Sequence, residues 1–105
     1  MLTESKIIEK TPYSQIFAIE GTNGNDEGFK QLISLMGEKN FKFFKSHKKS
    51  KISGSEGLID SEDVVILKIN SQWDERGGTN TDLIKSIITE LYEHPEGFHG
   101  EVLMF

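Results

Sequence analysis

Residues 66–87, "ILKINSQWDERGGTNTDLIKSI", join two hydrophobic patterns of different period, and the way they join decides the fold. The run that leads into them, "DVVILKIN" (Asp63 to Asn70), carries Val64 to Leu67 without alternation. That pattern predicts a strand buried on both faces. After a polar break, Ile84, Ile87, Ile88 and Leu91 fall on one helical face, widened by Leu83. His94-Pro95 then ends the helix, since a residue before proline disfavours helical backbone. The break itself holds the only Trp and the only Arg of the chain, Trp73 and Arg76. Beside them lie Gly77, Gly78 and the cap-forming run Thr79-Asn80-Thr81-Asp82. Such a break reads either as a ligand-binding loop or as a well-built strand-to-helix turn.

Working outward from this stretch, the same two periods recur. "QIFAIEG" (Gln15 to Gly21) is a short apolar run that predicts a buried strand, followed by the turn residues Thr22, Asn23 and Gly24. Phe29, Leu32, Ile33 and Met36 then share one helical face, with Asn25 or Asp26 as cap and Gly37 where a helix end is expected. "NFKFFKS" (Asn40 to Ser46) predicts a second strand, nearer a sheet edge. Residues 46–61 have no period and are rich in Ser, Gly and Lys, so they read as a long loop, mobile or functional. "GEVLMF" (Gly100 to Phe105) predicts the last strand, and residues 1–14, interrupted by Pro12, a loosely ordered lead-in.

The order β-α-β-loop-β-α-β predicts an α/β domain over residues 15–105 with a mainly parallel four-stranded sheet. The simplest strand order is 2-1-3-4, a flavodoxin- or Rossmann-like half sheet in a three-layer α/β/α arrangement. A doubly wound sheet would have a helix between its second and third strands, and none is visible there. The apolar strand that closes the chain would leave an open edge, Val102–Phe105. Such edges invite pairing. The expectation is an N-terminal part of a longer protein, or a second chain covering that edge.

Composition limits the function classes. The chain has 105 residues, 35% of them hydrophobic and 28% charged, as an ordinary globular domain has. It has no cysteine, which excludes disulfides, cysteine nucleophiles and thiolate-bound iron–sulfur clusters. The net charge of −5 argues against nucleic acid as the main partner. No apolar run reaches membrane-spanning length and the N-terminus lacks a signal-peptide core, which points to a cytoplasmic protein. "KFFKSHKKSK" (Lys42 to Lys51) gathers five of the eleven lysines, as an anion-docking patch or as a solvated loop.

The residues 63–103 resemble the N-terminal part of the domain of unknown function 362 family. The matching positions are Lys68, Asn70, Gly77, Gly78, Thr79, Asn80 and Thr81: a strand ending in Lys-x-Asn, a Thr-Asn loop and an Ile/Leu-rich helix. The resemblance implies the α/β fold and a chain that continues further, but no reaction. Some members carry ferredoxin-like cysteine clusters, which this chain cannot hold without cysteine.

In an open parallel sheet, ligands bind where the strand order reverses, here between the loops Gly21–Asn25 and Asn70–Thr81. The expected function is a small-molecule or anion-binding module. Helix amides after Gly77 and Gly78, with Thr79, Asn80 and Thr81, would face the anion. Arg76 would add a forked contact and Lys68 a point charge. Gly21, Thr22 and Asn23 would form the opposite wall, and Trp73 could stack on a ring. Against this stands a simple cap at Thr79 or Asn80, which needs no ligand. An alternative is a Mg²⁺-dependent hydrolase fragment using Asp74 and Glu75 with Asn70 or Glu20, Asp74 being the only catalytic candidate. A third class is an assembly domain pairing through its last strand. No metal or cofactor follows from the sequence, since His94 and His99 are irregularly spaced for zinc. His94 is expected to meet the last helix carbonyls.

Overall fold

The computed structural model describes residues 5–11, 14–70 and 78–105. Two helices and three separate two-stranded sheets make up these residues. β1 (Ser5–Thr11) and β2 (Ser14–Ile19) form an antiparallel hairpin, with Ser5 opposite Ile19 and Ile8 opposite Ile16. β3 (Phe44–Lys45) pairs in parallel with β4 (Ser53–Gly54), and β5 (Val64–Leu67) in parallel with β6 (Glu101–Met104). α1 (Asp26–Glu38) and α2 (Thr81–Leu91) pack on each other, held at one point by Lys30 Nζ, 3.4 Å from the buried Glu90 carboxylate.

This corrects the expected sheet. Among the described residues there is no four-stranded parallel sheet, no 2-1-3-4 order and no three-layer arrangement, so the Rossmann-like assignment fails. The physical reason lies in who pairs with whom. The sequence reading puts no strand in residues 1–14, yet Ser5–Thr11 take up the backbone of β2. The aromatic strand shrinks to two residues, and its neighbours come from the adjacent loop. Phe44 pairs with Ser53 on one side and bridges to Ile59 on the other.

That loop is correspondingly well tied. Lys45 N–H donates to Ile59 O (2.7 Å), Leu58 N–H to Lys42 O (2.9 Å) and Ile59 N–H to Phe43 O (3.0 Å). Side chains add to the backbone: Ser53 Oγ donates to Lys48 O (2.8 Å) and lies 2.6 Å from Ser50 Oγ. Gly57 permits the close approach of the loop to β3, because a Cβ there would sit 1.9 Å from Phe44 O. The segment that reads as an aperiodic loop is therefore half of a small parallel unit.

The helices end as their caps dictate. Asn25 Oδ1 accepts the Gly28 N–H at 3.0 Å and Asn80 Oδ1 accepts the Leu83 N–H at 3.0 Å, each satisfying one otherwise orphaned first-turn donor. α1 runs past Gly37 and stops at Asn40, whose φ of 70° places it in the left-handed region. Phe41 N–H then bonds Met36 O (2.9 Å) and Asn40 N–H bonds Gly37 O (3.1 Å), the paired closure of a Schellman motif. Gly37 serves packing instead: a Cβ on it would lie 2.0 Å from Lys51 O.

The core is small. Ile33, Leu35, Phe44, Ile59 and Leu91 are its buried apolar residues. Phe29, Phe43, Phe44 and His94 make a chain of edge-to-face ring contacts with centroids 4.8–5.6 Å apart. Such pairs contribute about 0.5–1.5 kcal/mol each beyond area burial.

Candidate functional site

Three regions gather polar or unpartnered side chains. The first is where the predicted loops meet. Although the sheet that was to create a crevice is missing, Gly24 packs on Asn80, and a Cβ on Gly24 would lie 3.2 Å from Asn80 Nδ2. Ser86 Oγ, buried, lies 3.1 Å from Gly24 O and 2.8 Å from Asp82 O and fastens α2 to that loop. An open cleft of about 410 Å³ lies between the two helix starts, lined by Asn25, Glu27, Asp82, Lys85 and Ser86.

The predicted site residues distribute unevenly around it. Gly21 and Gly24 take positive φ (82° and 85°), and Asn23 Oδ1 accepts the Asn25 N–H, so this wall is a built turn. Thr22 packs under α1, against Gly28. Asn70 and Thr79 bind each other twice: Thr79 N–H donates to Asn70 O (2.8 Å) and Asn70 N–H to Thr79 Oγ1 (2.8 Å). They form the neck of the polar break, with the exposed Gly78 beside Asn70 O. Asn80 is the cap and Thr81 opens the helix. Lys68 lines no part of the cleft; it is exposed and donates to Ile69 O at 3.1 Å. Trp73, Asp74, Glu75, Arg76 and Gly77 lie outside the described residues. Among the described residues no group of three acidic, His or Cys side chains could hold a metal ion.

The second region is a node behind β3. His94 is 4% exposed; its Nδ1 accepts the Glu96 N–H at 3.1 Å. Nε2 therefore carries the proton and donates to Ile59 O at 3.0 Å. The His94 side chain thus meets the core loop; only its backbone N–H reaches a helix carbonyl, Leu91 O at 3.2 Å, where the side chain was expected to do so. Ser46 Oγ donates to Glu96 Oε2 at 2.5 Å, and His47 Nδ1 lies 3.4 Å from the same oxygen. The Ser46 hydroxyl, chiefly, holds the Glu96 carboxyl below its ordinary range, with the nearby His47 contributing. Glu96 stands between the serine and the histidine, so the order differs from a nucleophilic triad, where histidine is central. The node ties two loops together.

The third region was only half visible in the sequence. Along β5 the even residues are exposed and the odd ones half-buried. In a parallel register residues paired across strands point to one face, and Ile66 pairs with Leu103. Val64 (55% exposed), Ile66 (59%), Leu103 (38%) and Phe105 (68%) consequently form one apolar face open to water. The unbroken run Val64–Leu67 hides this, because continuous apolarity predicts two covered faces and does not say that one cover is absent.

Comparison of the chain with protein-family models, with curated proteins and with solved structures finds no match. The resemblance to the domain of unknown function 362 family thus stands as an expectation from the residues alone.

Proposed function

We propose that this domain is an assembly module, in which the β5–β6 pair is half of a sheet structure that a second protein chain completes. The observation that carries it is the open face of Val64, Ile66, Leu103 and Phe105. Parallel strands are normally covered on both sides, and a two-stranded ribbon alone is marginal in water. The function sits on the face of the pair, a step beyond the strand edge that the sequence suggests. A photo-crosslinking residue placed at Phe105 should yield one dominant protein adduct in cells, lost on Ile66→Glu. The same residue at Leu58, exposed at 71% elsewhere on the surface, should not yield it. Identical adducts from both positions would remove the proposal.

A second reading is a small polar ligand in the cleft between the helix starts, favoured by the convergence of Gly24 and Asn80 and by Lys85 on its wall. Glu27 and Asp82 share that wall, so a simple anion is disfavoured and a ligand bearing both charges fits better. Amide shifts at Gly24 and Asn80 on adding a zwitterion panel, with none for phosphate, are the expected result. Neither residue responding would discard this reading.

A further inference from the structure

We infer that the partner completing the β5–β6 face is a second copy of this chain, packed face to face with its strands antiparallel to the first. The inference rests on the reading of β5–β6 as an assembly surface. It is carried by the way charge is laid out along the apolar stripe. Glu101 pairs with Val64 at one end of the face. At the other end Lys68 continues the exposed alternation of β5 beyond Leu67, the partner of Met104 in the register. Glu62 and Asp63, both exposed, lie at the Glu101 end, where Glu101 N–H bonds Asp63 O. The stripe is therefore acidic at one end, apolar in its middle and basic at the other.

With their strands kept aligned, two such stripes can meet face to face about a twofold axis in only two ways. An axis along the strands stacks them in the same direction and sets Glu101, Glu62 and Asp63 beside the same acids of the other copy. An axis across the strands stacks them in opposite directions, with Leu103 over Leu103 and Ile66 over Ile66. Each Glu101 end then lies over the other copy's Lys68 end. Sheets pack about 10 Å apart, a gap that a Glu and a Lys side chain together span. Opposite charges at both rims favour the second arrangement and like charges penalise the first. The chain's overall charge of −5 opposes any self-contact that does not match signs locally, which sharpens the choice.

The area agrees. The four apolar side chains leave on the order of 400 Å² per chain open to water, within the range of functional patches. Doubled and rimmed by Glu101 and Lys68, the contact approaches the roughly 1,000 Å² of the smaller specific interfaces. The expected association is accordingly weak, a concentration-dependent dimer.

Sedimentation of the purified chain from micromolar to submillimolar concentration tests this, with charge swaps as the discriminating arm. The natural chain should shift toward twice the monomer mass. Glu101→Lys and Lys68→Glu should each weaken the dimer about fivefold, and the two together should restore it. Both positions are exposed, so the variants keep the fold, checked by their amide spectra. A chain that stays monomeric throughout overturns the inference, and a dominant adduct of a different protein at Phe105 would then leave the assembly reading standing. A dimer indifferent to Ile66→Ser and Phe105→Ser overturns both. A dimer that the swaps weaken but the double swap fails to restore overturns the antiparallel arrangement.

Discussion

The two parallel pairs of this protein differ in the opposite sense to their size. β3–β4 has two residues per strand, yet Phe44 is 1% exposed and Ser53 2%. β5–β6 has four per strand and presents Val64 and Ile66 more than half exposed. Ladder length therefore does not measure how much a pair contributes. Phe44 and Ser53 of the short pair are covered by Ile59, His94, Phe43 and the serine-linked loop, with Lys45 alone exposed; the long pair is covered on one face. The lesson is that side-chain burial, and the satisfaction of polar groups near it, decides where stability sits.

The largest test of that contrast is a pair of truncations. Phe44→Ala should cost about 3–5 kcal/mol in denaturant unfolding, while Phe105→Ala should change the monomer by less than about 0.5 kcal/mol. Comparable losses would dissolve the distinction. Next in size is the polar support of the buried pair. His94→Phe keeps a ring beside Phe44 but leaves the Glu96 N–H without its partner and Ile59 O with the Lys45 N–H alone, a cost of about 1–3 kcal/mol. A neutral result would show the hydrogen bonds to be incidental to the packing. The cap of α2 comes third: Asn80→Ala should lose about 1 kcal/mol, and Thr79→Ala less if its neck to Asn70 matters mainly to the loop.

The smallest effect is the pH dependence of the node. Glu96 is lowered in the folded state, so its contribution is fully present above the ordinary glutamate value and is lost as pH falls through the folded value beneath it. Unfolding followed below pH 4.5 should lose this component in Glu96→Gln, with stability falling less steeply. Ser46→Ala should move the Glu96 titration back toward its ordinary range, because the Ser46 hydroxyl is the largest cause of the shift. An unmoved titration would assign the shift to His47 instead.

Some of the local geometry around the cleft is legible in outline. The turn chemistry of Gly21–Gly24 follows from residue type, as does a cap at Thr79 or Asn80, of which the structure uses Asn80; the two loops do meet, at Gly24 and Asn80. Their meeting was argued from a sheet that is not there; the actual cause is Ser86 holding Gly24 O. The neck between Asn70 and Thr79 was missed because each residue had an adequate local role, end of strand and cap. Residues 46–61 misled for a related reason. Their order comes from long-range bonds to β3 and to Glu96, and no periodicity records those.

By itself the sequence determined the two helices and the apolar runs and narrowed each helix start to two candidate caps, because helix bonds join residues four apart and caps three apart, within reach of a local pattern. Only the tertiary structure decided which strand lies beside which. A strand's hydrogen bonds are made to a distant segment, and every segment offers the same backbone donors and acceptors. So Ser5–Thr11 could take β2, Ser53–Gly54 could take β3, and β5 was left with β6 and one uncovered face.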